Sequence, residues 1–441
     1  MSRRPLSSSP PPPRSPKRIK LDHLTSESFK DGVVLAPMVR SGALPTRLFS
    51  LKHGAKLVWG PETVDKAILH AERVVDPVTG VVSYNGKSRA IWTTHPIEKP
   101  YLIYQLGSAD PELAVQAAKT VMQDVSGIDL NCGCPKPFST HAGMGAALLT
   151  NPDLLCSILT ALREAMPPEI TVTAKIRLLP SQEDTLKLVE RIVNTGISAL
   201  TVHCRTRSMR EKDPAVITRL KEIVEFVEGM GKGIPVLENG DCLGAADAKR
   251  VLDVTGAHSV MIARAAESNP SAFSMTPLTD VHKTLVPAYL RLSKYLGNHW
   301  SLTKFCVAQF KGGFTNSNKA EEKRIRDAVV KGRSFDDVAE IAGSWTGEED
   351  FKDIVRAIES RSSATHLPVT AETETEATEG EAEEADAEGE AAFFTPEGTQ
   401  NPEPPGSGAP RLALDQLPRN IPAMITGEGP LTPTPGGGII V

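Results

Sequence analysis

Cys134 stands in a Gly-Cys-Pro turn at the end of a short apolar run, where a thiol can face a cleft. Three roles are open to it: nucleophile, general acid, or inert packing. Nucleophilic use calls for a depressed pKa and a neighbouring base, which a sequence does not reveal. Proton donation suits a thiol whose ordinary pKa, about 8.5, keeps it mostly protonated at neutral pH. Other apolar runs also end in polar groups. Gln105 lies in YLIYQL, Asn131 lies in GIDLNC three residues before Cys134, and Lys175 and Arg177 end TVTAKIR. His203 and Arg205 end ALTVHCR, Glu238-Asn239-Gly240-Asp241 ends the next run, and Ala263-Arg264 ends SVMIAR. The first run ends in Ala36-Pro37-Met38. One Lys or His in an apolar run is ordinary structural chemistry. Polar groups at the same end of run after run have no packing rationale and mark a site.

The runs that position these residues number eight: 33–38, 56–60, 101–106, 127–132, 171–176, 199–204, 234–240 and 259–264. Each has the length of a buried parallel strand. Apolar residues at three- and four-residue spacing predict helices over 110–122, 151–165, 182–195, 214–229 and 244–254. Asn151-Pro152 suits a cap and first turn, and Ser181 with Asp184 resembles a capping box. Eight strands alternating with helices predict an α/β fold, a TIM (β/α)8 barrel over 29–274, with a doubly wound open sheet as the rival. Its active site is then assembled at the C-terminal strand ends. The long segment 62–100 is expected to place a small hairpin, YNGKSRAIW, on the rim. Residues 275–361 read as a smaller all-helical domain, noticeably basic from Arg291 to Arg333.

Barrel enzymes commonly hold a phosphate at the ends of strands seven and eight. Here Asn239-Gly240-Asp241 and Ala263-Arg264 fit, with Gly240 admitting a close backbone approach and Arg264 a bidentate pairing. A phosphate-bearing cofactor such as FMN would then lie over the mouth. Lys175 would meet the part of the ring where negative charge collects on reduction, and Gln105 and Asn131 would bond ring or substrate edges.

The chain has 441 residues and a net charge of −5, unevenly spread. Residues 368–441 carry fourteen acids and only Arg411 and Arg419, so the tail holds −12 and the rest +7. A basic body is compatible with a polyanionic partner but does not require one. The basic, Pro-rich arm 1–28 and the acidic, Pro/Gly-rich tail 362–441 lack apolar periodicity and are expected to be disordered. No run approaches the length of a membrane span, and no signal peptide is evident, so a cytoplasmic or nuclear protein without membrane contact is expected. Six cysteines without a CxxC pair argue against a metal site. We expect a monomer.

Together, LAPMVRSGALPTRLF, YQLGS, DLNCGCPKPFSTHAGMGAALL, TAKIRLL, TVHCRTR, ENGD and MIARAAESNPSAF resemble the tRNA-dihydrouridine synthases, over roughly residues 30–310. GCPKPFSTHAGMGAALL and NHWSLTKFC have the character of the eukaryotic branch that modifies position 20 of the D-loop. The resemblance implies an FMN enzyme, taking hydride from NADPH or NADH, that reduces the C5=C6 bond of a tRNA uridine. It implies Cys134 as proton donor. Pro37, Met38, Gln105, Lys175, His203, Asn239, Gly240, Asp241, Ala263 and Arg264 would contact FMN, and Asn131 and Arg177 would face the uracil. Lys294, Asn298, Thr303 and Lys304 would touch the RNA backbone, with an affinity that falls steeply with salt. The target base must leave its stack to reach a barrel mouth.

Two departures stand out. Cys132 replaces a residue that is often aliphatic or Met in relatives. The region after 366 does not resemble the double-stranded-RNA-binding domain that animal members append, which leaves RNA affinity to the helical domain and the N-terminal arm. One rival is a flavin barrel acting on a free pyrimidine, of the dihydropyrimidine or dihydroorotate dehydrogenase type, though these lack a basic helical domain. The other is a non-catalytic RNA-binding protein, which would not need Cys134, Lys175, His203 and Arg264 together.

Overall fold

The computed structural model describes residues 23–311 and 319–364. Residues 365–441 of the acidic tail and 1–22 of the N-terminal arm lie outside the described residues, while Ser26–Phe29 forms a short 3-10 helix. Eight parallel strands form the barrel. They are β1 (Gly32–Leu35), β2 (Val58–Trp59), β3 (Leu102–Gly107), β4 (Gly127–Cys132), β5 (Thr171–Leu178), β6 (Ala199–Thr206), β7 (Val236–Asn239) and β8 (Ser259–Ile262). Each pairs with the next, and β8 pairs with β1 from Gly32↔Ser259 to Leu35↔Ile262, which closes the barrel. All eight fall on the runs read from the sequence.

Alternation with period two explains how one strand serves two environments. In β5, Val172, Ala174 and Ile176 join the large core beneath the outer helices. Thr173, Lys175 and Arg177 turn into the lumen. A second apolar cluster fills the lumen floor with Val34, Trp59, Ile103, Leu237 and Met261. Phe29 plugs it from below, edge-on to Trp59 at 6.2 Å between centroids. Polar side chains therefore gather further along each strand, towards the C-terminal mouth.

The outer helices begin where caps are available. Asn151 accepts from the Leu154 N–H at 3.2 Å, and Ser181 from the Asp184 N–H at 3.0 Å. These bonds make only half of the expected capping box: in place of a backbone return bond, the Ser181 hydroxyl donates to the Asp184 carboxylate at 2.6 Å. The rim segment holds more than the hairpin: Glu72–Val75, Val82–Asn85 and Ala90–Thr94 form a three-stranded antiparallel sheet.

Beyond the barrel the described elements are helical, chiefly Val281–Tyr295, Trp300–Gln309, Lys319–Lys331 and Gly347–Ala364. Their buried side chains belong to the same core as the barrel's outer layer. Tyr289 stacks on Phe49 and meets Phe310 edge-on, and its hydroxyl pairs with Thr46 at 2.9 Å. Arg361 donates to the carbonyls of Leu51 and Ala55 at 2.7 and 2.9 Å. The helices are thus fastened to the barrel's first helix, Leu44–Lys52.

Candidate active site

Strand register brings the expected lumen residues together. Asn131 pairs with Lys175, and His203 pairs with both Arg177 and Asn239. Lys175 is only 9% exposed and donates to Asn239 Oδ1 at 2.8 Å, while Asn239 Nδ2 donates to the Met261 carbonyl at 2.9 Å. Burial, with Arg177 nearby, lowers the Lys175 ammonium to about 8, so it stays mostly charged at neutral pH. His203 is driven far below its ordinary range, first by burial and then by Lys175, Arg177, Arg205 and Arg264. Its imidazole is neutral. The Nε2 atom lies 3.3 Å from Arg205 Nη1; as the acceptor there, it leaves the proton on Nδ1.

One layer down, Asp129 accepts from Gln105 Nε2 at 2.8 Å and Thr173 Oγ1 at 2.6 Å. Burial raises it to about 6 from 3.8, against the pull of those bonds and of Lys175. A carboxyl with a raised folded-state pKa favours folding at low pH, and that contribution is lost as pH rises through the folded value. Asp129→Asn is therefore expected to stabilise the protein at about pH 7.5 and to do little at about pH 4. Urea midpoints at the two pH values test this; an equal change at both would refute it.

Positive charge dominates the rim. Arg205 grips Asp241 with Nη2 at 2.5 and 2.7 Å from the two carboxylate oxygens, and Arg264 pairs with the same carboxylate. The Ala215 N–H adds a third partner at 2.7 Å. Burial opposes ionisation of Asp241, but these bonds hold its carboxyl below the usual range. One ionised carboxylate thus faces Arg205 and Arg264, while Lys175 and Arg177 have no ion-pair partner within salt-bridge reach among the described residues. This surplus fits a ligand bearing a phosphate and a ring that gathers negative charge.

Two details differ from expectation. A Cβ on Gly240 would lie 2.7 Å from the Ala215 Cβ and 2.9 Å from Glu238 Oε1, so glycine is needed there for internal packing. Arg264 is occupied by Asp241 and by the Glu211 carbonyl at 3.0 Å, so an incoming anion must share or displace those partners. Pro37 and Met38 follow β1 directly, and the Met38 carbonyl accepts from the Gly42 N–H at 2.8 Å. Ala263 follows β8 and precedes the short helix that Arg264 opens.

The Cys134 loop is braced from three sides. Asn131 Oδ1 accepts the N–H groups of Gly133 and Cys134, both at 3.0 Å. Arg177 Nε donates to the Gly133 carbonyl at 2.7 Å, and the Ala146 N–H to the Cys134 carbonyl at 2.9 Å. Gly145 at φ +59° completes the turn, where a Cβ would sit 2.6 Å from the Cys134 carbonyl. Asn131 and Arg177, expected to face substrate, are thus partly committed to this loop. Cys134 is half-buried while Cys132 is fully buried, as expected of a packed strand residue. The Cys134 thiol is raised by burial and then by Glu62, which disfavours a thiolate nucleophile and leaves a proton to give.

Glu62 was not legible as a site residue, since it follows β2 in a Pro-Glu-Thr turn rather than ending a polar-tipped run. Asp129 was within reach, being two residues before Asn131 on the same strand face. Of the helical candidates, Lys294 is exposed and pairs with Asp336 at 2.8 Å, and Lys304 donates to the Gly332 carbonyl at 3.1 Å. Thr303 is 0% exposed and accepts from Asn298 Nδ2 at 2.8 Å, which corrects its assignment as an RNA contact: it is an internal brace.

A family model described as dihydrouridine synthase (Dus) matches residues 34–314. The "tRNA-dihydrouridine(20) synthase [NAD(P)+]" of Schizosaccharomyces pombe is 45% identical over 70% of this chain and 64% of its own length. The protein of the same name in Saccharomyces cerevisiae is 39% identical over 65% of this chain and 78% of its own length. A "tRNA-dihydrouridine(20a/20b) synthase [NAD(P)+]" of the latter organism is 31% identical over 55% of this chain and 61% of its own length. The matched part thus spans under two thirds of two of these three relatives. With a family model covering most of the barrel and the first part of the helical region, this chain belongs to the dihydrouridine synthase family.

Proposed function

We propose that this chain reduces the C5=C6 bond of a D-loop uridine in tRNA, at position 20, using FMN and NAD(P)H. The observation that carries the reading is a thiol kept protonated beside a barrel mouth with surplus positive charge. The names of the two relatives that are 45% and 39% identical to this chain support the position.

When bound and reduced, FMN supplies a hydride to C6 of the uracil. Gln105, Lys175, His203, Asn239 and Arg264 are the residues that would hold the cofactor, with Lys175 and Arg264 giving the charge that favours an anionic ligand. The lumen floor is apolar, with Phe29 and Trp59 packed together in it. Saturation at C6 leaves negative charge shared between C5 and the C4 carbonyl. Cys134 then delivers its proton to C5. The loop bonds from Asn131, Arg177 and Ala146 fix the backbone carrying that thiol. Lys294 and Lys304 offer charge to an RNA backbone, and the base enters the mouth only after leaving its stack.

The test combines purified full-length protein, FMN, NADPH and unmodified tRNA transcript, with dihydrouridine mapped position by position. Product confined to position 20 supports the proposal. Product elsewhere overturns the assigned position, and turnover of free uridine or uracil without RNA moves the substrate to small pyrimidines.

A further inference from the structure

We propose that Glu62 restores the proton of Cys134 after each turnover, by transfer from its carboxyl to the neighbouring thiol of the loop that Ser139 joins to it. This rests on Cys134 being the proton donor.

The placement is specific. Glu62 follows β2 and is anchored by Thr63 and Val64, which pair in parallel with Leu106 and Gly107 at the end of β3. Its carboxylate lies against Gly107, where a Cβ would stand 2.7 Å from Oε1. From there it meets three residues at the exit of β4. Ser139 Oγ donates to Oε1 at 3.3 Å, and the Asn131 and Cys134 side chains lie close enough to act on the carboxyl. Because the Asn131 oxygen already accepts two backbone N–H groups, its amide nitrogen is the group left to face Glu62. The charged side chains facing Cys134 are Glu62 and, from β5, Arg177. Glu62 is the one that can carry a transferable proton, since a guanidinium does not deprotonate in proteins.

Chemistry gives this placement a task. Once Cys134 has protonated C5 it is a thiolate beside a carboxyl group in a partly buried loop, and two adjacent negative charges there are strongly disfavoured. In the proposed step the Glu62 O–H bond breaks, a Cys134 S–H bond forms, and the carboxylate keeps the electron pair. Transfer runs downhill, because a thiol holds its proton more tightly than a carboxyl by about four pKa units. Glu62 is only half-buried and regains a proton from bulk water. A cysteine without this partner would have to be reprotonated by solvent directly, in a mouth that tRNA covers during turnover. Burial also raises the Glu62 carboxyl, which increases its protonated fraction.

The first readout needs neither cofactor nor activity: alkylation of Cys134 by iodoacetamide across about pH 6 to 10, followed on the Cys134 peptide by mass spectrometry. Glu62→Gln removes a like charge and is expected to move the midpoint down by about one unit, with the high-pH plateau rate unchanged. A brace with no electrostatic coupling would alter the plateau and leave the midpoint in place, which overturns the proposal. The second readout compares a single turnover with steady state. Glu62→Gln should slow later turnovers about tenfold more than the first, and Glu62→Asp should recover part of the loss. Equal slowing of first and later turnovers overturns the relay. If the Gln variant fails to fold, Glu62→Met, which also removes the charge and the transferable proton, carries both measurements. A fully active Cys134→Ala would instead sink the donor assignment, and the alkylation coupling would still be seen, so the two failures are separable.

Discussion

Cys134→Ala is expected to lower dihydrouridine formation by about 10²- to 10⁴-fold, the range a positioned general acid supplies. The change should act on chemistry rather than on folding. The bonds that hold this loop run to the Cys134 N–H and carbonyl, and the Gly145 turn needs no group beyond the Cβ of residue 134. Alanine keeps every one of them. Melting temperature, flavin content and tRNA affinity should therefore stay near wild type while product disappears. Cys132 offers no substitute, because it is fully buried on the outer face of β4. Serine at 134 should rescue little, since an aliphatic hydroxyl is a far weaker acid than a thiol. Because burial and Glu62 raise the thiol, wild-type activity should persist to a higher pH than an ordinary cysteine would allow. Position-resolved dihydrouridine content after incubation with tRNA decides the matter. A Cys134→Ala enzyme within about threefold of wild type would remove Cys134 from the proton transfer.

The barrel could be read from the sequence because its signals are local. A strand such as TVTAKIRL is short and rich in β-branched residues, as buried parallel strands are, and it turns its polar members to the barrel mouth on alternate positions. Once the eight runs were in register, their ends named Gln105, Asn131, Lys175, His203 and Asn239, all of which the structure brings to the lumen. What the sequence hid depends on contacts between distant segments. Glu62 meets Cys134 only because a two-residue extension after β2 pairs with the end of β3. Gly240 reads equally as a phosphate cradle or a packing glycine until Ala215, from a different segment, is seen against it. Thr303 carries a hydroxyl on an amphipathic helix, and composition does not say which face turns inward. Its burial follows from the Asn298 side chain folding back onto it across the turn. Arg264 and Arg205 look like free cations in sequence, and the left-handed Asp241 at φ 60° brings both onto one carboxylate.

Glu98→Ala should destabilise the protein by about 3–5 kcal/mol, the cost of leaving one half of a buried ion pair behind. Glu98 is 0% and Arg47 1% exposed. Arg47 Nε and Nη2 reach the two Glu98 oxygens at 2.9 and 2.6 Å in a bidentate fork. The remaining donors go to the Gly42 and Thr93 carbonyls at 2.7 and 2.8 Å, and Thr94 Oγ1 donates to Glu98 at 2.7 Å. The pair thus ties the Leu44–Lys52 helix, the last rim strand and the approach to β3 at one point. Deletion of Glu98 strands a guanidinium with no water to solvate it, a large fraction of a typical total stability of about 5–15 kcal/mol. Because Gly42 also bonds the Met38 carbonyl, loss of the pair should loosen the turn after β1 and with it that side of the mouth. Urea unfolding reads the effect as a lower midpoint at constant slope. The double variant Arg47→Met/Glu98→Leu separates pairing from packing, because replacing both partners by apolar groups of similar volume removes the stranded charge. It should recover much of the loss. If Glu98→Ala costs under about 1 kcal/mol, the pair is solvated in the folded protein and its worth is that of a surface salt bridge.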